Sequence, residues 1–539
     1  MVGTIVAIQG FGRQWVQGGR LQLMGALSFM GYIQGEGRQQ SSLFPPTLEE
    51  LVPEDHLVRV IEAYVARLDL QALGFSKAEP LKTGRPGYDP ADLLKLYLYG
   101  YFQRIRSSRR LEAECQRNVE VMWLLGRLAP DFKTIADFRK DNSAAFQATC
   151  RTFVQFCRQV GLISGQLVAI DGSKFQAVAS QRKHLSLTKL KRQQAKLEAQ
   201  ISRYLAELDE ADRSEATEGV DRRAVKAALQ HLESRHADNL TAQALMEVQR
   251  LDQFVVGEDE ARMMRTHQGA RVAYNVQSAV DGEHGLIVHH AVTQNGSDNQ
   301  QLEPMAKAAQ AILEQEALTV TADAGYSNGE QFQACDDAGI TAYVPENRGI
   351  NNKGDDTPLF DRSAFSYDVE NDQYQCPAGQ WLPLKQVSGL QRIYTAQGDC
   401  EGCPLKSRCT KAKRRYVTRH VHEAAFERLH QRMQAHPEMM VRRRSIVEHP
   451  FGNLKQWILG NGRFLLRQLQ GARTEMALAV NAYNLKACHQ CDGCPSVDRA
   501  VGVNPAFHFQ HQKHQRPEPV GALDFSGVSA FSHALIYGA

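Results

Sequence analysis

The chain has 539 residues, of which 43% are hydrophobic and 23% are charged, a balance typical of a globular protein with several domains. Its formal net charge is only +3, which neither requires nor excludes a polyanionic partner, so a case for nucleic-acid binding must rest on local basic clusters. No run of about 18 apolar residues occurs, which argues against a transmembrane span, and we expect a cytoplasmic protein that is not exported.

The N-terminal part of the chain is predicted to be helical. Residues 1–29 are rich in Gly and Gln and lack periodicity, and Met30 is an alternative start, so we expect 1–29 to be a non-native or disordered leader. From Pro53 onward, apolar residues recur at spacings of three and four, and Asp89 with Pro90 is a favourable helix start. We therefore predict an all-helical domain over residues 30–160.

A basic segment in this region, Arg104-Ile-Arg106-Ser-Ser-Arg109-Arg110, lies at a predicted helix end. One interpretation is that Arg106, Arg109 and Arg110 contact the phosphates of DNA. The other is a solvated helix C-terminus whose cations complement the helix dipole. The sequence leaves both open.

At Gly165 the pattern changes from helical to strand-like. A short apolar run ends in Asp171, two strands with a hairpin loop follow at 272–292, and a further apolar run ends in Asp323. The order strand, hairpin, helix, strand and helix predicts an α/β fold with a mixed sheet covered by helices over residues 161–490.

Two long insertions interrupt this predicted sheet. Residues 181–260 carry two leucine stripes and are predicted to form a helical hairpin, for which the alternative to a functional role is an exposed scaffold arm. Residues 350–430 are polar, contain cysteines and are predicted to be irregular. The tail over 491–539 is rich in His, Pro and Gly, and we expect it to be disordered.

Two aspartates follow buried strands and are candidates for a metal site. Asp171 and Asp323 each come at the end of an apolar run, where a carboxylate can point into a cleft while its backbone stays in the sheet. Two such carboxylates on adjacent strands suit Mg²⁺, which prefers oxygen ligands and substrate phosphate. The alternative is that each Asp merely starts a turn or caps the next helix.

A third carboxylate lies in a predicted helix over 437–459. Arg444, Glu448 and Lys455 are spaced by four and seven residues, which places them on one helical face. An acid between two cations suits a metal ligand beside a bound phosphodiester, whereas the alternative is an ordinary salt bridge between Arg444 and Glu448. Pro450 is expected to kink this helix.

Together these segments resemble the DDE transposases of bacterial insertion sequences, in the group with a Tyr-x2-Arg-x3-Glu-x6-Lys signature. Arg444, Glu448 and Lys455 match the signature, and Val441 stands at the Tyr position. The strand motifs of that family are matched by the blocks Asp171-Gly172-Ser173, Tyr274-Asn275-Val276-Gln277 with Asp281, and Asp323-Ala324-Gly325-Tyr326. The resemblance covers about residues 30–490, including a helical N-terminal domain, and implies a ribonuclease H-like core.

The resemblance implies a transposase that binds insertion-sequence ends, cleaves DNA with two Mg²⁺ ions and joins the 3′-OH to target DNA. Asp171 would bridge both ions, Asp323 and Glu448 would each hold one, and Arg444 and Lys455 would hold phosphates. Expected partners are transposon-end and target double-stranded DNA, with a homodimer in the active complex and association with the nucleoid when bound. The alternatives are a metal-dependent nuclease on the same core and an inactive or domesticated DNA-binding protein.

Four cysteines in the second insertion are candidates for a zinc site. Cys376, Cys400, Cys403 and Cys409 include a Cys-x2-Cys knuckle whose Gly and Pro suit a tight turn, and four thiols suit tetrahedral Zn²⁺. The competing interpretations are a disulfide pair, which a reducing compartment disfavours, and four unrelated core cysteines.

Overall fold

The computed structural model describes residues 45–80, 86–213, 222–266, 269–346 and 359–490. The predicted leader at 1–29 and the predicted tail at 491–539 lie outside the described residues. None of the described helices combines the length and the apolar character that a membrane span needs.

The described α-helices, in chain order, are α1 (Leu48–Leu51), α2 (Leu57–Val65), α3 (Pro90–Phe102), α4 (Ser108–Arg117), α5 (Val119–Leu124), α6 (Phe132–Asp141), α7 (Ser143–Gln159), α8 (Leu187–Arg213), α9 (Arg222–Val248), α10 (Leu302–Leu313), α11 (Gly329–Asp337), α12 (Lys406–Cys409), α13 (Glu423–Ala435), α14 (Glu438–Gly452) and α15 (Gln468–Gln490). A π-helix, Asn453–Ile458, directly continues α14.

The described strands are β1 (Leu167–Gln176), β2 (His184–Ser186), β3 (Gln253–Val255), β4 (Arg262–Thr266), β5 (Gly269–Asp281), β6 (Ile287–Thr293), β7 (Leu318–Thr321), β8 (Ile340–Tyr343), β9 (Ser366–Asp368), β10 (Gln373–Gln375), β11 (Trp381–Ser388), β12 (Gln391–Thr395) and β13 (Tyr416–His420).

The predicted helical N-terminal region is present as α1 to α7. The expected start of α3 is confirmed, because the Asp89 carboxylate accepts a hydrogen bond from the backbone N–H of Ala91 at 2.8 Å and Pro90 is the first helical residue. The rings of Tyr97, Phe138 and Phe146 pack edge to face and stacked at the centre of these helices. Aromatic burial thus holds this region together.

The central sheet has six strands. Its main path runs β4-β5-β1-β7-β8, and β6 pairs with β5. Strand β1 is antiparallel to β5 and parallel to β7, and β7 is parallel to β8. Both the hairpin predicted at 272–292 and the strand expected at Ile340–Val344 are present, as β5 with β6 and as β8.

Helix α15 joins the helical region to the sheet. It packs against α3 and α7 on one side and against β6 on the other. The Thr474 hydroxyl donates a hydrogen bond of 2.6 Å to the Ser143 hydroxyl, and both groups are buried. The described residues between Leu48 and Gln490 therefore belong to one compact unit, most of whose buried apolar side chains form one continuous core.

The first insertion forms the predicted helical hairpin, with α8 packed along α9 and the short β2–β3 ribbon at its base. Its inner face buries Leu190 and Met246. The predicted linker at 212–221 falls mainly on 214–221, outside the described residues.

The prediction that residues 350–430 are irregular is wrong for the described part. Strands β9 to β13 form a five-stranded antiparallel sheet with its own small core around Tyr374, Leu382 and Tyr394. Strands β9 and β10 are only three residues long, so the two-residue periodicity that identifies a strand is too short to recognise in the sequence.

Two helical glycines provide a test of the packing. A Cβ added at Gly100 in α3 would lie 2.7 Å from the Ile105 carbonyl oxygen and 2.7 Å from a Leu111 methyl carbon, whereas one added at Gly452 in α14 would meet nothing within 4 Å. We expect Gly100→Ala to lower the free energy of unfolding by about 1–3 kcal/mol through overpacking. The matched Gly452→Ala should raise it by up to about 1 kcal/mol through helix propensity. Urea denaturation measures both, and equal effects of the two variants would contradict the described packing.

Candidate active site

The pairing of β1 with β7 brings Asp171 and Asp323 together. The last paired residues of these two parallel strands are Ala169 and Thr321. Asp171 and Asp323 each lie two residues beyond this pair, so they occupy equivalent positions on neighbouring strands. The predicted convergence of two carboxylates at one edge of the sheet is therefore present.

The position of Asp171 within its strand differs from the prediction. Strand β1 does not end at Asp171 but continues to Gln176, because residues 171–176 stay paired with β5 after the pairing with β7 has stopped. Asp171 thus lies where β1 loses one neighbour and keeps the other. That arrangement opens one side of the strand while it holds the aspartate backbone in the sheet.

Arg443 bridges the two aspartates. It reaches from α14, which packs against β1, β5 and β7. Its Nη2 lies 2.9 Å from Asp171 Oδ1 and 3.8 Å from Asp323 Oδ2. The sequence indicated this residue only as part of a basic run, and its spacing from Glu448 gave no reason to place it here.

The surroundings of Asp171 raise the pKa of its carboxyl group. Burial raises the pKa of the Asp171 carboxyl to about 6, and the negative charges of Asp323 and Asp298 act in the same direction. The Arg443 guanidinium and the Gly172 N–H, which donates to Asp171 Oδ1 at 2.9 Å, oppose this rise. The site is therefore short of positive charge even with Arg443 in place.

Lys455 also faces this region, from the π-helix. Burial lowers the pKa of Lys455, the negative charge of Asp171 opposes that shift, and the positive charge of Lys174 adds to it. The Lys455 Nζ lies 5.3 Å from the centre of the Phe175 ring. Pro450, where a kink is predicted, lies inside α14, which passes into the π-helix after Gly452.

Glu448 and Arg444 are not drawn into the same cluster. Both side chains are exposed, whereas the adjoining Ile446 and Val447 are buried against the sheet. In the part of the chain that the structure describes, no hydrogen bond or ion pair joins the Glu448 carboxylate to Asp171 or Asp323. The structure thus brings together two of the three predicted carboxylates, with Arg443 and Lys455 rather than Arg444.

A polar network that the sequence reasoning missed lies beside Asp171. Asp298 Oδ1 accepts hydrogen bonds from Asn275 Nδ2 at 2.6 Å and Gln277 Nε2 at 2.7 Å, and the Lys174 Nζ lies 3.1 Å from both of its carboxylate oxygens. The Tyr326 hydroxyl donates to Gln277 Oε1. The available signal was the alternation of Asn275 and Gln277 in an otherwise apolar strand.

A side chain at position 172 would displace this network. A Cβ there would lie 2.7 Å from Asp298 Oδ1 and would also meet the Gln277 amide. The absence of a side chain lets β1 approach the network closely. This is a physical reason for the Asp-Gly pair that the sequence contains.

The basic segment at 104–110 has a different role for each arginine. Arg106 forms an ion pair of 3.2 Å with the buried Glu475 and donates to the Arg463 carbonyl oxygen at 2.9 Å. The Arg109 guanidinium lies 5.0 Å from the centre of the Phe132 ring, and Arg110 is exposed. The charge of Arg106 is therefore used inside the protein, while Arg109 and Arg110 face solvent.

The four candidate zinc ligands line one cavity. Cys376, Cys400, Cys403 and Cys409 surround it, and none of these four described residues forms a disulfide. Burial raises the pKa of the Cys409 thiol, and the other three thiols act in the same direction, which places them near it. Among the described residues, no three His, Cys, Asp or Glu side chains, from this cluster or elsewhere, are already arranged to hold a metal ion.

Comparison with known proteins found two family matches. Residues 46–141 match a family described as Transposase domain (DUF772), and residues 166–485 match one described as Transposase DDE domain. A search of curated proteins found no match.

A solved structure, the cryo-EM structure of a piggyBac transposase synaptic complex with hairpin DNA, aligns over 85% of this chain and 83% of its own. Its sequence identity is 8% and its TM-score is 0.22, too low to support an argument about fold or partners.

The bridging role of Arg443 can be tested against its neighbour. Arg443→Met leaves the two half-buried carboxylates without their cation, and we expect a loss of about 1–3 kcal/mol in the free energy of unfolding measured in EDTA. Arg444→Met, which removes the same charge from an exposed side chain, should change that free energy by less than about 0.5 kcal/mol. Equal losses in urea denaturation would show that Arg443 does not neutralise the aspartates.

Proposed function

We propose, since this chain belongs to the family of transposases with a DDE domain, that it binds the ends of an insertion sequence, cleaves the DNA there with Mg²⁺ and joins the 3′-OH to target DNA. The observation that carries the proposal is the pair Asp171 and Asp323, which share one cation from α14. Two carboxylates aimed at one positive charge are what an enzyme needs where metal ions neutralise a phosphodiester.

The catalytic domain is proposed to have a ribonuclease H-like core. The support is a sheet in which β5 is antiparallel to β1, β4 and β6, and in which β1, β7 and β8 are adjacent and parallel. The helical hairpin and the β9–β13 sheet are then insertions, and α1 to α7 form the end-binding region. These domain assignments remain proposals.

Asp171, Asp323 and Glu448 would hold Mg²⁺. The two aspartates fit, because their oxygens already face one cation, and oxygen is the ligand that Mg²⁺ prefers. Glu448, on the same helix as Arg443, would have to turn toward them. When bound, two such ions supply an activated water and neutralise the charge that develops on the phosphate.

The protein's own residues position the DNA for two reactions. In the first, water displaces one oxygen of the phosphodiester and leaves a free 3′-OH on the element. In the second, this hydroxyl oxygen attacks a target phosphorus and the target's own 3′ oxygen leaves, so one phosphodiester bond forms as another breaks and no external energy source is needed. Lys455, which is close enough to Asp171 to influence its charge, would hold the scissile phosphate, and Arg444 a neighbouring one.

The expected partners are double-stranded transposon ends and target DNA, with a homodimer in the active complex. Arg109 and Arg110 remain candidates for DNA contacts because they face solvent. The pairing of Arg106 with Glu475 favours a structural role for that residue over its predicted DNA contact. We expect the protein in the cytoplasm, on the nucleoid when it is bound.

The alternatives are a nuclease that cuts without joining and an inactive DNA-binding protein. A strand-transfer assay separates them. A duplex that carries the inverted repeat recovered from the DNA flanking the coding sequence, already cut at its 3′ end, is incubated with plasmid and Mg²⁺. Joined product supports the transposase; cleavage of uncut ends without joining supports the nuclease, and binding alone supports the inactive protein.

The carboxylate triad has a direct test. We expect Asp171→Asn, Asp323→Asn and Glu448→Gln each to lower the cleavage rate in Mg²⁺ by at least about a hundredfold, the scale on which loss of one charge-stabilising group is felt. End binding in a gel-shift assay should remain. Glu438→Gln, an exposed acid on the same helix, is the matched control and should cleave normally. Near-normal cleavage by any one triad variant would remove that residue from the site.

The four thiols of the β9–β13 sheet are proposed to hold a structural Zn²⁺. The cavity that all four cysteines line supports this proposal. The core of this sheet is small, so the free energy of metal binding would add to its folding stability.

Metal analysis of protein purified without added zinc tests this site. We expect about one Zn²⁺ per chain, and we expect Cys400→Ser to lower both the zinc content and the Tm. Cys335→Ser, at a buried cysteine outside the cluster, should leave the zinc content unchanged. Zinc far below one per chain, with an unchanged Tm for Cys400→Ser, would exclude the site.

A further inference from the structure

A second group of cations lies where the helical region meets the π-helix. The Lys486 Nζ lies 3.4 Å from the centre of the Trp457 indole ring, and the Arg104 guanidinium carbon lies 4.6 Å from it. Phe102 packs edge to face against the same indole, with ring centres 5.7 Å apart. We call these four residues the Trp457 cluster.

The backbone at Arg104 is strained for an arginine. Helix α3 ends in a Schellman motif, in which Ile105 N–H donates to the Gly100 carbonyl oxygen at 2.6 Å and Arg104 N–H to that of Tyr101 at 3.3 Å. Arg104 occupies the left-handed position of this motif with φ 61°, where glycine or asparagine is usual. A side chain at a glycine position costs conformational energy, so replacing Arg104 by glycine is not expected to destabilise this turn.

The two cations have no acidic partner. In the ranges that the structure describes, neither Arg104 nor Lys486 forms an ion pair with a carboxylate. Burial lowers the pKa of Lys486 and the charge of Arg104 lowers it further, so the two cations repel each other. The indole face attracts both, but it does not neutralise them.

The cluster is fixed relative to the proposed catalytic centre. Trp457 lies two residues after Lys455 in the same π-helix. Arg106 lies two residues after Arg104. Its ion pair with Glu475 and its hydrogen bond to the Arg463 carbonyl oxygen fix the backbone there. The helical region, the π-helix and helix α15 thus hold the three side chains Arg104, Trp457 and Lys486 in one place.

We infer that the Trp457 cluster binds a backbone phosphate of double-stranded DNA, through the paired cations Arg104 and Lys486 held on the Trp457 indole. DNA is the polyanion that the proposed function brings to this protein, and its phosphates complement the positive charges of Arg104 and Lys486. The inference rests on the proposed function and adds to it a second DNA contact outside the catalytic centre.

The test uses the full-length protein and a fluorescein-labelled DNA duplex of arbitrary sequence. Anisotropy titrations over a range of salt concentrations give the slope of log Kd against log salt. Each neutralised phosphate contributes about 0.9 to that slope. We expect the double variant Arg104→Gly with Lys486→Met to lose about this amount and to bind more weakly at every salt concentration.

Arg127 supplies the matched control. It is an exposed arginine with φ 66° in the same helical region, and it lies against no aromatic ring. Arg127→Gly removes the same charge from the same backbone conformation and should leave the slope unchanged. Both glycine substitutions should keep or raise the Tm, because glycine relieves the left-handed strain. A reduced slope in the double variant is thus not attributable to unfolding or to the loss of an arginine from a left-handed turn.

An unchanged slope in the double variant, or an equal loss in Arg127→Gly, overturns the site. Cleavage in Mg²⁺ is scored separately on the wild-type protein. A wild type that cuts DNA while the double variant keeps its slope leaves the proposed function in place and removes the phosphate site. If the wild type does not cut DNA but the double variant has a reduced slope, the phosphate site stands and the proposed function is removed.

Discussion

The parallel pairing of β1 with β7 forces two carboxylates together, because Asp171 and Asp323 each lie two residues beyond the paired residues Ala169 and Thr321. Two negative charges at half-buried positions repel each other, and the repulsion grows as water is excluded. Arg443 supplies one positive charge, which leaves the trio with a net negative charge. Helix α14 therefore stabilises the sheet through the charge of Arg443 as well as through its buried apolar side chains. The remaining negative charge favours the binding of further cations beside the two aspartates.

The same constraint explains the polar side chains buried beside the site. Asp298 adds a third carboxylate near Asp171, and it is held by Lys174, Asn275 and Gln277, which satisfy it locally. A buried carboxylate with such partners is tolerated, whereas one without them would protonate. The network fixes the backbone of β1 and β5 around Asp171, and Gly172 lets it come close. The backbone around the aspartates is thus held in place by the ion pair and hydrogen bonds of Asp298.

Much of the fold was predictable, and the family prediction is confirmed by both family matches. The hairpin at 272–292, the helical hairpin and the helix start at Asp89 follow from periodicity and capping, which are local properties. The β9–β13 sheet was missed because β9 and β10 have only three residues each, and because β11 is exposed along most of its length and shows no regular apolar alternation. Arg443 and Asp298 were missed because their roles depend on which elements pack together. The spacing of four residues places Arg444 and Glu448 on one face of α14, but it does not show which face of α14 packs against the sheet.

That face decides what the helix can present to the aspartates. Arg443 and Glu448 are five residues apart, which is about 140° around an α-helix, so a rigid helix cannot direct both at one point. With Arg443 inward, one protein cation partly neutralises two carboxylates. With Glu448 inward, three carboxylates would meet, and only added cations would make that arrangement favourable. The two arrangements thus differ in the metal ions they need, and ions that bind one of them better shift the population toward it. The π-helix begins directly after α14, at Asn453, and carries Lys455 and Trp457. The residues proposed to hold DNA therefore follow, in one continuous helical segment, the residue proposed to complete the metal site.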